Sequence, residues 1–294
     1  MFYVFLCYVI RPLFLASVSQ PLHIMLMRSF LHSIFSIVFV CLAFLMSMPA
    51  KADHHAVDSL KVSALLAEGD VFYRRLDNKL AIASYRQAFA LDSTSFDVLA
   101  RLARTANDLG RDLHAAQQNN DAEDAFFEAV RYADLLLIDH ANSAHTHYYL
   151  ALTKGNLALF QGGRKKIEYA REIEQHCLEG LRIDSTHAEL IVAFGVFKRE
   201  VASSTWMERT IAKTLFGDIP EGTKENAVAL LTRAVELNPT LHIARFELAL
   251  SLIAVGQPEE AMTHLKAAQS LPAQTTQDNR NRQLAERMLN RMSQ

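Results

Sequence analysis

A helical pattern that returns every 34 residues restricts the possible folds of this chain more than any other feature of its sequence. Past Ser59, apolar residues recur three and four positions apart and β-branched runs are few, which is typical of amphipathic helices. Small and apolar residues fall at matching positions of two stretches offset by 34, namely Ala227, Leu231, Ala234 and Leu237, and then Ala261, Leu265, Ala268 and Leu271. The pattern predicts an all-α chain built from repeated helices.

A 34-residue period with small residues at fixed places is the pattern of the tetratricopeptide repeat, a pair of antiparallel helices. Gly or Ala at the crossing points lets the helices approach, while aromatic and Leu side chains fill the space between them. The first repeat starts at Val62 and matches at Gly69, Phe72, Ala81, Tyr85, Ala88 and Leu91. We therefore predict a right-handed helical-hairpin solenoid of about ten to twelve helices over residues 60 to 292, without a strand. The alternative is an irregular helical bundle.

The middle repeats are longer than the template. Their second-helix positions arrive about 11, 13 and 20 residues later than a 34-residue repeat places them. Residues added between the helices of a repeat are expected to emerge on one face of the solenoid. The last segment, from about Thr276, is predicted to form a capping helix with Leu284, Met288 and Leu289 packed on the final repeat.

The insertion in the fourth repeat contains Trp206, the only tryptophan. Met207, Ile211 and Leu215 form an apolar helical stripe, which we expect to be buried against the repeats. Trp206, Arg209 and Lys213 would then face one way, beside the basic helix start that follows Gly162 and Gly163. The candidate ligand- or partner-binding residues are Arg164, Lys166, Trp206, Arg209 and Lys213. The alternative is that Trp206 fills a core gap and Arg209 pairs with a nearby Glu.

The N-terminal segment has the pattern of a leader rather than of a repeat. Arg28 precedes an apolar run over residues 30 to 48, and Ala50 and Ala52 are the small residues that a signal peptidase reads. We predict a leader over residues 1–52, cleavage after Ala52, and a single repeat domain over 53–294 in an extracytoplasmic space, periplasmic or secreted. Residues 30–48 could instead anchor the chain in a membrane. Met25 or Met27 is a candidate for the true start.

Charge and cysteine content exclude several classes of function for the mature chain. Cleavage removes Arg11, Arg28 and Lys51 but no acid, which changes the formal net charge from −2 to −5. A chain of this charge is a poor candidate for nucleic-acid binding, whose affinity comes mostly from neutralising phosphates. Cys177 alone of the cysteines lies beyond the leader, so neither an intrachain disulfide nor a cysteine metal site is expected.

No catalytic constellation is apparent in the sequence. It has neither a Gly-rich phosphate loop nor a nucleophile elbow. His145 and His147 are two residues apart, so on a helix they point to different sides and are expected to be surface histidines that cannot chelate one metal. We therefore expect no enzyme activity, no catalytic residues, no metal and no cofactor.

Four stretches of the chain resemble one known family. They are GVFKREVASSTWMERTIAKTLFG, which includes Gly195, Trp206, Arg209, Ile211, Ala212, Lys213, Leu215 and Phe216, together with GGRKKIEYAREIEQH, RLAR at 101–104 and LPAQTTQD at 271–278. In these residues the chain resembles the regulator of microtubule dynamics proteins, from about Gly69 to the C-terminus. The resemblance implies a single tetratricopeptide-like domain that binds partners, with eukaryotic relatives linked to microtubules or organelle membranes. Because export would place the chain away from microtubules, only the fold and the candidate surface are carried over.

Two functions follow from these observations. The first is a noncatalytic scaffold whose concave face binds a protein or peptide partner. The second is a carrier or sensor of a small anionic or amphipathic, lipid-like ligand held between the Trp206 helix and the GGRKK segment. An enclosed pocket with apolar walls would favour the carrier, and an open groove would favour the scaffold.

Overall fold

The computed structural model describes residues 51–205, 209–210, 213–214, 217 and 220–293, with side chains from residue 58 onward. Its described part contains eleven helices and no strand, so the all-α helical-repeat fold is confirmed. The helices are α1 Lys51–Arg74, α2 Asn78–Leu91, α3 Phe96–Ala115, α4 Asn119–His140, α5 Ala144–Gln161, α6 Gly163–Ile183, α7 Ala188–Ala202, α8 Lys224–Leu237, α9 His242–Ala254, α10 Pro258–Ser270 and α11 Thr276–Met292.

The helices pack as successive hairpins. Helix α3 packs on α4, α5 on α6, α7 on α8 and α9 on α10, as the repeat pattern predicts. The first helices of these hairpins also contact one another in order, α3 with α5, α5 with α7 and α7 with α9. We call these four helices the first-helix row. The row brings residues that are far apart in the sequence to one face of the repeats.

Glycines at the predicted crossing points hold the helices close together. A Cβ atom on Gly69 would lie 2.3 Å from the ring of Tyr85, which is fully buried. In the fourth repeat, Gly195 and Leu231 occupy the positions that Gly69 and Tyr85 occupy in the first. A Cβ atom on Gly195 would lie 2.8 Å from Leu231. No larger residue fits at these positions without displacing a packed side chain.

The extra residues of the second and third repeats lie in longer helices, not in a separate inserted segment. Helices α3 and α4 have 20 and 22 residues and α5 and α6 have 18 and 21, whereas α9 and α10 have 13 each. The extended ends bury an apolar cluster of their own, which contains Leu113, Ala122, Ala125, Phe126, Val130 and Leu157. This burial makes a longer hairpin more favourable than a solvated loop. In the fourth repeat, residues 203–223 do separate α7 from α8.

The C-terminal helix α11 begins at Thr276, the expected residue, with a capping box between Thr275 and Asp278. Leu289 is buried and Met288 is partly buried against the last repeats. Leu284 is 37% exposed, so its predicted packing is wrong.

Helix α11 also reaches back to α3. Thr276 Oγ1 and Arg280 Nη1 donate to Asp112 Oδ1 at 2.7 and 2.5 Å, and Asn78 Nδ2 donates to Asp112 Oδ2 at 2.7 Å. We call this set of bonds the Asp112 clasp. The clasp joins α2, α3 and α11, and Asp112 and Arg280 are 168 positions apart in the sequence.

The predicted leader, residues 1–50, lies outside the described residues, and cleavage after Ala52 stays a prediction. Among the helices of the described part, none is both long enough and apolar enough to cross a membrane.

Candidate functional site: a cavity beside α5 and α7

A cavity of about 950 Å³ lies between α5, α6, α7 and the 203–223 segment. Helix α3 contributes Arg111 to its lining, and α9 contributes Ile243 and Glu247. Much of the wall is apolar, including Leu152, Ile167, Val192, Val196 and Phe197. We call it the α5–α7 cavity. Residues from four hairpins meet there because the first-helix row brings their helices together.

Three of the five predicted site residues line this cavity, namely Lys166, Arg209 and Lys213. Arg164 does not line it; its side chain is 74% exposed and its Nε donates to Glu168 Oε1 at 2.8 Å. Trp206 lies outside the described residues, as do Met207, Ile211 and Leu215 of the predicted apolar stripe. Whether the three lining cations bind a ligand stays a prediction.

Both ends of the 203–223 segment are attached to α7. Arg209 Nη2 donates to the Ala202 carbonyl at 3.1 Å. Lys198 Nζ donates to the Glu221 carbonyl at 2.5 Å and to Glu174 at 2.7 Å. A Cβ atom on Gly222 would lie 2.6 Å from the backbone carbonyl of Lys198, so only glycine allows this approach. These contacts place described residues of the segment along one wall of the cavity.

Two cations of the lining are already paired. Arg199 Nη2 lies 2.6 Å from Glu247 Oε2, and the two side chains are only 13% and 14% exposed. Arg199 also donates to the Glu247 carbonyl and to Ser251 Oγ, both at 3.1 Å. Lys166 Nζ lies 3.0 Å from Glu200 Oε2. In these pairs the charges of Arg199 and Lys166 are balanced by carboxylates.

Arg111, which the sequence did not single out, is a different case. It is partly buried and lines the cavity, yet no hydrogen bond or ion pair to it occurs among the described residues. Burial lowers the pKa of its guanidinium, and the Asp108 and Glu247 carboxylates oppose that shift. Arg101, Arg104, Asp108 and Arg111 recur at three- and four-residue spacing, a signal that could have located this charged face of α3.

The RLAR stretch that carried the family resemblance has a packing role. Arg101 Nε donates to Asp70 Oδ1 at 2.9 Å, and Asp70 also accepts from Tyr85. The Arg104 guanidinium lies 4.0 Å from the centre of the Tyr73 ring. These contacts join α3 to α1 and α2, and neither arginine lines the α5–α7 cavity.

The prediction of two surface histidines is wrong for His147, which is buried. Its Nε2 lies 3.0 Å from the Ala141 carbonyl, so Nε2 carries the proton and donates. Its Nδ1 then accepts from His176 Nδ1, 3.1 Å away. Burial, and after it the charge of Lys154, lowers the pKa of His176 to about 4. The hairpin packing of α5 on α6 brings the two rings together, which helical spacing alone does not reveal.

The comparisons with known proteins agree on one family and one fold. A family profile described as regulator of microtubule dynamics protein 1-3 matches residues 65–293. Regulator of microtubule dynamics protein 1 of Bos taurus is 25% identical over 228 residues, which cover 76% of this chain and 70% of the relative. The Mus musculus protein of the same name is 24% identical and covers 74% of this chain and 70% of its own length.

Among solved structures, a thermophilic tetratricopeptide-repeat protein of Thermus thermophilus is similar, with a TM-score of 0.56 and 18% identity. The match covers 78% of this chain and 99% of that protein. At this identity the similarity supports the fold alone, and it agrees with the repeat pattern that the sequence predicted.

Proposed function

This chain belongs to the regulator of microtubule dynamics family, and from that premise we propose that it is a noncatalytic scaffold that binds a segment of a protein or peptide partner. Helical repeats of this kind present extended surfaces to their partners. The observation that carries the proposal is that the α5–α7 cavity is about half open to solvent, as a groove for a partner segment is, with a volume of about 950 Å³ that suits several side chains of that segment.

Gly155 provides a way to fill this cavity without disturbing the fold. It lies within α5 and lines the cavity, and a Cβ atom added to it would have no neighbour within 4 Å. A phenyl ring at this position would project into the cavity, whereas a methyl group would leave most of the volume open. Gly155→Phe and Gly155→Ala therefore form a matched pair.

The test is a selection of peptides from a randomised display library against the purified protein. We expect peptides that bind the wild type and Gly155→Ala with similar affinity and bind Gly155→Phe at least about tenfold more weakly, because the ring occupies their site. Circular dichroism would establish that both variants are folded. Failure to recover any peptide with this dependence on Gly155 would contradict the proposal.

A second candidate is a carrier or sensor of a small anionic or amphipathic, lipid-like ligand. It is favoured by the combination of apolar walls with the Arg111 guanidinium in one cavity. Native mass spectrometry of the protein from its producing cells should then detect a bound small molecule in the wild type and not in Gly155→Phe. The names of the relatives refer to microtubules, but we do not propose tubulin or nucleic acid as a partner of this chain.

A further inference from the structure

We propose that the α5–α7 cavity selects partner segments that carry carboxylate side chains, with Arg111 as the interior anchor and Arg209 and Lys213 at the rim. This inference rests on the proposed function, because it names the chemistry of the segment that the same cavity binds. It concerns residues of α3 and of the 203–223 segment, which the chain places on different walls of the cavity.

Among the described residues, no carboxylate forms an ion pair or hydrogen bond with Arg111. The two carboxylates that act on Arg111 are already bound by other groups, since Asp108 accepts a 2.8 Å hydrogen bond from Tyr73 Oη and Glu247 pairs with Arg199 at 2.6 Å. A partly buried guanidinium without a hydrogen-bonded anion is unfavourable, because it loses hydration and gains no ion pair in return. A carboxylate that enters the cavity would supply the missing partner in bidentate geometry.

The rim adds positive charge from the inserted segment. Arg209 and Lys213 are exposed and four residues apart, and both line the cavity. Arg209 donates to the Ala202 carbonyl, and in the described part of the chain neither residue forms an ion pair with a carboxylate. No carboxylate of the described residues pairs with either charge, whereas that of Lys166 is paired with Glu200.

Two acidic residues of the lining also lack a Lys or Arg partner among the residues described. Glu189 lies in the first turn of α7, 3.4 Å from His187 Nδ1, where the helix N-terminus stabilises its charge. Glu221 is exposed at the far end of the inserted segment. Neither is paired with Arg111, so the interior of the cavity keeps its preference for an anion.

The composition of the selected peptides tests this inference. We expect the peptides that depend on Gly155 to be at least about twofold richer in Asp and Glu than the starting library, because each carboxylate bound by Arg111 adds a charge-assisted hydrogen bond. Arg111→Met should weaken these peptides by about tenfold or more. Arg209→Ala combined with Lys213→Ala should weaken them less and reduce the dependence of affinity on salt, since exposed charges are screened.

Arg182→Met is the matched control. Arg182 is 69% exposed on α6, pairs with Glu179 one turn away and does not line the cavity, so its removal should leave affinity unchanged. Thermal unfolding would show whether Arg111→Met is folded. If it is not, Arg111→Lys keeps the charge without bidentate geometry, and we expect it to bind acidic peptides more weakly than the wild type does.

The outcomes separate this inference from the proposed function. Peptides that depend on Gly155 but are not enriched in acidic residues, or that bind Arg111→Met as they bind the wild type, would overturn the anion preference and leave the scaffold in place. The absence of any such peptide would overturn both. Binding of anionic phospholipid vesicles that requires Arg111, without peptide binding, would support the carrier and refute an acidic segment as the ligand.

Discussion

Single glycines decide how closely the helices of this chain approach, and they do so in two opposite ways. Gly69 is required because the Tyr85 ring occupies the space where a side chain would begin. Gly155 has open space in front of it, so its helix carries a residue of low helix propensity that packing does not require. The same residue type is therefore structural at one position and a feature of the cavity at the other.

We expect Gly69→Ala to destabilise the protein by about 1–3 kcal/mol, because the added methyl group must displace a buried ring. Gly155→Ala should stabilise it by about 0.5–1 kcal/mol through helix propensity. Urea unfolding of the two variants beside the wild type measures both effects. If Gly69→Ala instead raises the free energy of unfolding as Gly155→Ala does, the helices around Gly69 adjust to a methyl group more easily than the structure indicates.

Acid should destabilise the protein through His176. Its pKa is lowered from 6.5 to about 4 in the folded state, so the unfolded chain binds a proton more readily between these pH values. Its contribution is present above about pH 6.5 and is lost as the pH falls to about 4. We expect a loss of roughly 1 kcal/mol between about pH 7 and pH 5, allowing for partial exposure of the ring.

His176→Asn is the variant that isolates this effect, because its amide can still donate to His147 Nδ1 but does not titrate. The difference in unfolding free energy between the two pH values should shrink in this variant. His187, His242 and His264 also have lowered pKa values and remain in both proteins, so they cancel in the comparison. An unchanged pH dependence would assign the acid sensitivity to those histidines instead.

At the scale of helices, α11 has contacts on two sides. Its apolar residues pack against the last repeats, and its polar N-terminal end reaches α3 through the Asp112 clasp. The LPAQTTQD stretch therefore has a structural meaning, since Thr275 and Asp278 cap the helix and Thr276 binds Asp112. The clasp fixes α11 beside α3, the helix that also carries Arg111.

We expect Asp112→Ala to destabilise the protein by about 1–3 kcal/mol, because it leaves Arg280, Thr276 and Asn78 without their shared acceptor. Hydrogen exchange should become faster in α11 than in the other helices. Asp97→Ala is the control, since Asp97 lies on the same helix with a 72% exposed side chain and, among the residues that the structure describes, pairs with Arg101 alone. If α11 keeps its wild-type exchange rate in Asp112→Ala, its packing on α9 and α10 is sufficient to hold it.

For the whole molecule, we propose that the predicted leader is removed and the mature chain begins at Asp53 in an extracytoplasmic space. The small residues Ala50 and Ala52 stand where a signal peptidase reads the chain. N-terminal sequencing of the protein from its producing cells should find Asp53 as the first residue. Recovery of the intact chain in the membrane fraction would refute cleavage and favour an anchor at residues 30–48.

The sequence by itself determined the fold class, the hairpin pairing and the close-packed glycines. It could do so because helix formation and hairpin packing depend on residues three to 34 positions apart, and these leave a period in the sequence. The sequence also identified the insertion and the GGRKK stretch as candidate binding segments. Three of their residues, Lys166, Arg209 and Lys213, line one cavity.

Only the tertiary structure decided the longer helices of the middle repeats, the His147–His176 contact, the Asp112 clasp and the position of Arg111. Asp112 and Arg280 are separated by 168 residues, and no local pattern relates two such positions. Whether a charge is paired or left without a partner depends on which helices meet around it. That is a property of the packed row of helices, and the periodicity of a single helix does not contain it.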